Sequence, residues 1–277
     1  MFADFSVCWV HGCYVYGLQG VLEGAVIFMI NPEEIGNIAG HEESLWWFRG
    51  IRHIAFGLLD PVVQGNQIRR VFEGGCGTGH FASLVSQRYQ LPVFGVDLDP
   101  SAVRLCGQRP GVECARGNLS ALPFSASSFD LVLAMDVLAH FREGEDSTPF
   151  RELLRILRPG GFLFLRTSAL RIFRSRHSEF VWEQQRFSRK SLRRLALGEG
   201  VEIHRLCYAN FLLSPLALLK FRVWEPLTRQ PPSSGVAPLA APLEKSFYGA
   251  LRLESALIGR DFDAPFGQSL YLLARKL

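Results

Sequence analysis

The sequence predicts an α/β fold with a doubly wound, mainly parallel sheet, and two observations carry that prediction. From residue 69 to residue 167, short apolar runs alternate with segments of helical periodicity, which is the pattern of a parallel sheet covered by helices. Residues 74–79 contain four glycines between an apolar run and a helical segment. A strand, a tight glycine turn and a helix in this order favour a ligand site at the carboxyl edge of the sheet.

The same alternation gives the individual elements. Strands are expected at 69–73, 93–97, 112–116, 130–135 and 161–167, and helices at 81–90, 101–107 and 148–157. Residues 201–208 and 269–275 are predicted as the last two strands, paired antiparallel. The insertion between them, 209–268, holds two apolar helical segments and a proline-rich loop, and we expect it to emerge over the ligand site as a lid, a membrane-contact element or both.

The residues around the glycine turn predict the kind of ligand. Asp97 ends the second apolar run, where a doubly wound sheet places a carboxylate that binds ribose hydroxyls. The spacing of Gly75 and Gly77 puts His80 where a dinucleotide fingerprint requires its third glycine. The sequence therefore predicts a nucleoside site and excludes the NAD fingerprint.

The glycine segment and four later motifs resemble class I S-adenosylmethionine-dependent methyltransferases. The E-x-G-x-G-x-G pattern of 73–79 is similar to the family's first motif, and the others follow in the family's order: GVDLDP at 95–100, ARGNLSALPF at 115–124, FDLVLAMDVLAH at 129–140 and RELLRILRPGGFLFL at 151–165. The chain looks most like type 11, ubiquinone- and menaquinone-biosynthesis-like enzymes encoded in polysaccharide and lipid biosynthesis clusters. The resemblance implies a Rossmann-like, seven-stranded sheet with an antiparallel last strand, S-adenosylmethionine as cofactor and no metal.

The resemblance also implies roles for individual residues. Glu73 and the backbone of the glycine segment would hold the methionine end, Asp97 both ribose hydroxyls, and Leu98 the adenine. Many relatives have aspartate where this chain has Asn118, whose carbonyl oxygen would accept from the adenine amino group without a charge. The expected cofactor-binding residues are Glu73, Gly74, Gly75, Cys76, Gly77, Thr78, Gly79, Asp97, Leu98, Asn118, Leu119, Met135 and Asp136.

Methyl transfer from a sulfonium requires the protein mainly to position donor and acceptor. Asp136 and His140 are the candidate catalytic residues. The resemblance implies this for His140, which stands four residues after Asp136 in the position of the family's frequent E-H, and a histidine can accept a proton near neutral pH. A structural histidine that caps a short helix is the alternative interpretation. Tyr14 and Tyr16 are not expected to serve as bases.

Three additions are expected on the acceptor side of the cofactor: a W-W-F-R-G-x-R helix, an arginine-rich segment at 166–194, and the insertion. In similar enzymes such a helix covers the cofactor or substrate mouth. Apolar area and positive charge together favour a small-molecule acceptor that is amphiphilic, such as a saccharide or lipid-linked intermediate. The Phe211 to Phe221 helix would contact the apolar chain of this acceptor or the bilayer surface. Solvated arginines and inward-packed aromatic residues are the alternative. The candidate acceptor residues are Trp47, Phe48, Arg52, Arg171, Arg174 and Arg176.

Composition limits the other partners. The net charge of +4 argues against a polyanion-binding chain, and no DNA partner is expected. The cysteines, at 8, 13, 76, 106, 114 and 207, form neither a C-x-x-C pair nor a metal-ligand cluster with histidines. We interpret them as reduced thiols of a cytoplasmic protein, which could also lie peripherally at the inner membrane surface.

Residues 1–30 form an apolar segment that is interrupted by glycines and is a poor signal peptide or membrane helix. We interpret it as sequence upstream of a start at Met29, with a peripheral anchor as the alternative, and expect residues 1–28 to contribute no core strand. The methyltransferase domain then covers 31–277.

Two other functions stay open from the sequence. A non-catalytic S-adenosylmethionine-binding regulatory module would keep the same cofactor motifs. An RNA methyltransferase is suggested by the basic residues of 166–194, although no N/D-P-P-Y-type tetrapeptide ends the strand at 130–135. The sequence predicts neither the atom that is methylated nor an oligomeric state.

Overall fold

A mixed nine-stranded sheet is the centre of the computed structural model, which describes residues 7–10, 13–16 and 30–277. The strands are β1 (Val7–Val10), β2 (Cys13–Tyr16), β3 (Val71–Gly74), β4 (Val93–Asp97), β5 (Val112–Arg116), β6 (Phe129–Met135), β7 (Leu157–Ser168), β8 (Val201–Ala209) and β9 (Ser269–Lys276). Their order across the sheet is β1-β2-β5-β4-β3-β6-β7-β9-β8. Strands β3 to β7 are parallel, so their carboxyl ends share one edge, where such folds bind ligands.

The predicted seven-stranded arrangement is confirmed by β3 to β9, because the last strand runs antiparallel to both of its neighbours, β7 and β8. The sequence does not predict β1 and β2. These strands pair antiparallel with each other, and β2 pairs in parallel with β5 at Ala115 and Arg116. Residues 1–28 are predicted to contribute no core strand, and β1 and β2 lie at the edge of the sheet beyond β5. Met29 and the side chains of Tyr14 and Tyr16 lie outside the described residues.

Helices cover both faces of the sheet. They are α1 (Pro32–His41), α2 (Trp46–Gly65), α3 (His80–Tyr89), α4 (Pro100–Cys106), α5 (Ser147–Ile156), α6 (Arg176–Phe180), α7 (Arg189–Ala196), α8 (Ser214–Leu219), α9 (Glu225–Thr228) and α10 (Ala241–Ile258). A π-helical turn, Lys220–Trp224, joins α8 to α9. Among the described helices, none combines the length and the apolar character that crossing a bilayer requires.

Side chains that alternate along the strands divide the core into two parts, because successive residues of a strand point to opposite faces. Phe72, Val132 and Leu163 pack on one face with α5. Val71, Leu131 and their neighbours pack on the other face with α2. Strands buried on both faces read as continuous apolar runs, which is why the sequence predicts β3, β6 and β7 well.

The insertion between β8 and β9 leaves and re-enters the sheet at the carboxyl edge, since β8 runs parallel to β7 and β9 runs back. Its longest helix, α10, packs along α2. Leu251 of α10 lies so close to Gly50 of α2 that a Cβ on the glycine would be 2.1 Å from the leucine Cδ1. Glu244 of α10 accepts the backbone N–H of Trp46 at 2.9 Å, which satisfies one of the free donors at the start of α2.

Candidate active site

The glycine-rich loop between β3 and α3 adopts a backbone that few side chains tolerate. Gly75, Gly77 and Gly79 have φ of 70°, 52° and 73°, in the left-handed region that favours glycine. The N–H groups of Gly75 and Cys76 donate to the Val96 carbonyl at 2.7 and 3.1 Å, which ties the loop to β4. At Gly77 an added Cβ would meet nothing within 4 Å, so the loop turns a bare backbone toward open space.

The carboxylate of Asp97 lies beside this loop at the end of β4. Its Oδ2 accepts the N–H of Gly77 at 2.8 Å and its Oδ1 accepts the N–H of Asp99 at 2.9 Å. Burial raises the pKa of Asp97, while these backbone donors act in the opposite direction. The backbone therefore holds the carboxylate in one orientation, with lone pairs left for further donors.

Glu73, the third residue of β3, is a buried carboxylate, and no cation acts on it among the residues that the structure describes. It is 2% exposed, and its Oε2 is buried with no hydrogen-bond partner among the residues that the structure describes. Burial, together with the negative charges of Asp97 and Glu42, raises the pKa of Glu73 to about 8. Because an unpaired buried carboxylate is costly, this atom is suited to receive a cationic or hydrogen-bond-donating ligand group.

These groups border one cavity of about 680 Å³ at the carboxyl edge of the sheet, a size typical of small-molecule sites. Of the residues expected to bind the cofactor, those that line it are Glu73, Gly75, Cys76, Gly77, Thr78, Asp97, Leu98, Asn118, Leu119, Met135 and Asp136. Gly74 and Gly79 do not line it. A Cβ at Gly74 would press on Leu119 and Leu153, and one at Gly79 on Cys106, so both glycines serve close packing.

The opposite wall of the cavity comes from the amino-terminal helices. Ile35 and Ile38 of α1 line it, as do Phe48 and Arg52 of α2. The prediction that the α2 aromatic segment covers the site is consistent with the position of Phe48. We did not predict from the sequence that α1 lines the cavity. The only signal for this was the three-residue spacing of its two isoleucines.

Glu42, at the end of α1, joins this wall to the glycine loop. Its Oε2 accepts the hydroxyl hydrogen of Thr78 at 2.5 Å, and its Oε1 accepts from Arg109 at 2.5 Å. Arg52 donates to the Glu42 carbonyl. Burial raises the pKa of Glu42, whereas Thr78 and Arg109 favour its charged form. The sequence carries no signal for these long-range partners.

The end of β6 brings the two candidate catalytic residues to the cavity. Asp136 has φ 62°, an uncommon conformation for a residue other than glycine. Its carboxylate pairs with Arg166 of β7, which is 4% exposed and also donates to the Ser269 hydroxyl at 2.7 Å. The Asp136 side chain is therefore held by a buried arginine, whose guanidinium carbon lies 5.5 Å from the ring centre of Trp47.

His140 ends the helical turn Val137–His140 and lines the same cavity. Its Nδ1 is buried, with no hydrogen-bond partner in the described part of the chain. Burial lowers the pKa of His140. The charge of His177 also lowers this pKa, whereas the charge of Glu183 acts to raise it. A histidine that is neutral at physiological pH can accept a proton.

The candidate acceptor residues are divided by the structure. Phe48 and Arg52 line the cavity, and Trp47 packs over Arg166 beside it. Arg171, Arg174 and Arg176 do not line it, so the structure does not bring these three to the cavity. The reason is local, because Arg171 pairs with Glu143 at 2.8 Å, Arg174 is exposed, and Arg176 binds the insertion through Glu225 and Thr228.

No residue of the insertion lines the cavity, which differs from the expectation of a lid over the ligand site. The physical reason is the close packing of α10 on α2, where Leu251 meets Gly50. Glu254 of α10 also accepts the N–H groups of Phe211 and Leu212 at 2.8 and 3.2 Å, which anchors the start of the insertion. The wall over the cavity is built by α1 and the first turns of α2.

Comparison with known proteins agrees with this geometry. Residues 72–165 match the family model described as a methyltransferase domain. A phthiotriol/phenolphthiotriol dimycocerosates methyltransferase of Mycobacterium leprae (strain TN) is 35% identical over 102 residues, which is 34% of this chain and 36% of that protein. The chain thus spans only about a third of the length of this relative.

Solved structures share the fold over a larger part of the chain. A TehB-like SAM-dependent methyltransferase from Corynebacterium glutamicum has a TM-score of 0.54 at 16% identity, over 89% of this chain and 100% of that one. A geranyl diphosphate methyltransferase in complex with GPP and sinefungin has a TM-score of 0.52 at 19% identity, over 80% and 78%. The family model covers the glycine loop and strands β3 to β7 and shows that residues 72–165 belong to a methyltransferase domain, while the solved structures show that the rest of the chain shares the fold of these methyltransferases.

Proposed function

We propose that this protein transfers the methyl group of S-adenosylmethionine to a small, amphiphilic acceptor such as a lipid-linked or saccharide intermediate. The observation that carries the proposal is the convergence of Glu73, Asp97 and the bare loop backbone at Gly77 on one cavity. Their chemistry fits the cofactor, because the buried Glu73 Oε2 has no partner among the described residues and the cofactor's methionine end carries an ammonium group. When bound, the cofactor supplies a methyl group on a sulfonium, which needs no further activation.

The chain's own residues would bind and orient the cofactor. Glu73 would pair with the ammonium group, and Asp97 would accept from the ribose hydroxyls while Gly77 and Asp99 keep its carboxylate in place. Leu98 and Leu119 offer apolar contact to a flat base. The side-chain Oδ1 of Asn118 accepts the Ser120 N–H at 2.9 Å. The adenine amino group would donate a second hydrogen bond to the same oxygen.

His140 is the residue that we propose as proton acceptor for an acceptor hydroxyl or amine. It borders the cavity, its lowered pKa keeps it neutral, and its Nδ1 is unpartnered in the described region. Asp136 would orient the acceptor, since Arg166 fixes its carboxylate. In-line transfer depends on such positioning more than on acid–base strength.

The apolar part of the acceptor is supported by the cavity lining and by the relatives. Ile35, Ile38, Phe48 and Ile51 give one wall a hydrocarbon surface, and the mycobacterial relative is named for a lipid acceptor. An RNA acceptor finds less support, because part of the positive charge of 166–194 is paired within the protein: Arg166 pairs with Asp136, Arg186 with Glu183, and Arg189 with Asp263.

The test is label transfer from S-adenosylmethionine with a tritiated methyl group to lipid and saccharide extracts, beside calorimetry with adenosylhomocysteine. We expect tight binding and labelling of a lipid-extractable product. Binding without transfer to any extract would instead support a non-catalytic regulatory module. Transfer that persists in His140→Ala with an unchanged pH profile would contradict the role of His140 as proton acceptor.

A further inference from the structure

An exposed apolar surface lies on the insertion, away from the residues that line the cavity. Five large side chains at helical spacing form it, and we call it the α8–α9 face: Leu216, Leu219, Val223, Trp224 and Leu227. Their exposed fractions are 54, 59, 47, 62 and 75%. A surface helix normally turns such residues toward the core and polar residues toward water. In this segment the apolar side chains face water instead.

The face does not result from a loosely attached helix, because polar contacts hold its other side. Arg176 of α6 donates to the Thr228 hydroxyl at 3.0 Å, and its backbone N–H donates to Glu225 at 3.0 Å. Arg222 donates to the carbonyls of Ile172 and Arg171 at 2.8 and 2.9 Å. At the start of α8, the buried Ser214 hydroxyl donates to the Asn210 carbonyl at 2.6 Å. The protein therefore fixes the orientation that leaves the apolar side chains exposed.

The charge around the face is positive. Lys220, Arg222 and Arg229 are exposed within the same stretch. Arg174 is exposed in the neighbouring segment, which Arg222 contacts through the carbonyls of residues 171 and 172. The acidic residue of α8–α9, Glu225, is turned inward to the Arg176 N–H. An apolar surface with a tryptophan and a basic border is complementary to an anionic membrane surface.

The position of the face agrees with this partner. The insertion leaves the sheet at the end of β8, on the same edge at which the cavity opens. The segment after β7 that Arg222 contacts begins at that edge as well. A protein attached through this face would therefore keep its cavity edge near the lipid surface, where an amphiphilic acceptor resides.

We propose that the α8–α9 face docks this protein peripherally on an anionic bilayer surface. The proposal deepens the proposed function and rests on it for the acceptor's location, but membrane binding can be measured without any acceptor. The leucine, valine and tryptophan side chains enter the interfacial region, and the lysine and arginines contact anionic headgroups.

The first experiment is flotation of the full chain with phosphatidylcholine vesicles that contain or lack phosphatidylglycerol. We expect the parent protein to float with the anionic vesicles and not with the neutral ones. The double variant Leu219→Ser/Trp224→Ser should float at least about tenfold less. The matched control is Leu253→Ser, since Leu253 is 57% exposed on α10, and it should float like the parent.

A second experiment separates the apolar and charge contributions. Lys220→Gln/Arg229→Gln should reduce flotation with anionic vesicles and weaken its dependence on salt. The fluorescence of the parent should shift to shorter wavelength on vesicle addition, and Trp224→Phe should remove that shift.

The proposal would be overturned if the parent protein did not float with anionic vesicles, or if the double variant floated like the parent. It would also be overturned if the parent did not float but sedimented as a dimer while the double variant sedimented as a monomer. Adenosylhomocysteine calorimetry on each variant keeps the two proposals distinguishable. Flotation without methyl transfer contradicts only the proposed function, whereas transfer without flotation contradicts only the docking surface.

Discussion

Thr78 of the glycine loop donates its hydroxyl hydrogen to the carboxylate of Glu42, 2.5 Å away at the end of α1. Both residues are 4% exposed, and both line the cavity. Because Arg109 and Arg52 hold the same glutamate from other directions, the amino-terminal helix and the loop form one connected unit. Ordering of α1 and binding at the loop should therefore depend on each other.

The first prediction concerns this contact. Thr78→Val keeps the shape but leaves the buried Glu42 Oε2 without its donor, so the free energy of unfolding should fall by about 1–3 kcal/mol. Amide exchange in α1 should accelerate, and adenosylhomocysteine should bind more weakly. Thr78→Ser, which retains a hydroxyl, is the control and should stay near the parent. Equal stability of the valine variant and the parent would show that the contact adds nothing.

The second prediction concerns Asp97. In Asp97→Ala, the ribose would lose two charge-assisted hydrogen bonds, and affinity for adenosylhomocysteine should fall by roughly 3 kcal/mol or more, over a hundredfold. Calorimetry measures the affinity, and circular dichroism checks the fold. Asp97→Asn, which keeps an acceptor oxygen for the Gly77 N–H, should bind with intermediate affinity. Unchanged binding by the alanine variant would contradict the assignment of the ribose site.

Much of the cofactor half of the site could be predicted from the sequence, because its chemistry is local. Gly75, Gly77 and Gly79 need left-handed backbone, and Asp97 follows directly on a buried strand. Such features depend on residues within a few positions of one another. The seven strands of the methyltransferase fold were predictable for the same reason.

The acceptor half could not be predicted, because long-range packing decides it. Nothing near Glu42 in the sequence indicates Thr78 or Arg109 as its partners. The insertion could have covered the cavity, but the fit of Leu251 against Gly50 draws α10 onto α2. Arg176 reads as a free basic residue, yet it holds Glu225 and Thr228. Strands β1 and β2 lack the polar alternation that marks an edge hairpin.

The third prediction tests that packing. Gly50→Ala places a methyl group 2.8 Å from Cβ of Leu251, a contact that a change of leucine rotamer does not relieve. We expect a loss of about 1–3 kcal/mol in the free energy of unfolding. Gly249→Ala on α10, where the added group meets nothing within 4 Å, is the control and should be neutral or stabilising by up to about 1 kcal/mol. Denaturant unfolding of both variants is the measurement, and a stable Gly50→Ala would contradict close helix packing.

The fourth prediction concerns acid stability. Burial, with the charges of Arg52 and Arg109, lowers the pKa of His80 to about 4, and its Nε2 is buried without a partner among the described residues. A depressed histidine pKa means that the unfolded state binds the proton first, below about 6.5. Stability contributed by neutral His80 is present above pH 6.5 and is lost as the pH falls toward 4. His80→Gln should flatten this part of the curve of unfolding free energy against pH. Parallel curves for the variant and the parent would show that His80 does not cause this pH dependence.

The last prediction concerns Glu73, whose pKa is raised from 4.5 to about 8, chiefly by burial. The folded state therefore holds a proton that the unfolded state releases above about pH 4.5, so the contribution to stability is present below that pH and is lost as the pH rises toward 8. Glu73→Gln should remove this slope and make the ligand-free protein more stable than the parent near pH 8. Denaturant unfolding across this pH range is the measurement.

The same substitution should weaken binding, because the amide cannot pair with the ammonium group of adenosylhomocysteine. In the parent at pH 7, Glu73 is mostly protonated, and an approaching ammonium group favours its ionised form. Binding should therefore release up to about one proton. Calorimetry in buffers of low and high ionisation enthalpy measures that number, and Glu73→Gln should bring it close to zero. If the parent releases no proton and the variant binds equally well, Glu73 does not contact the ligand and the cofactor's methionine end lies elsewhere.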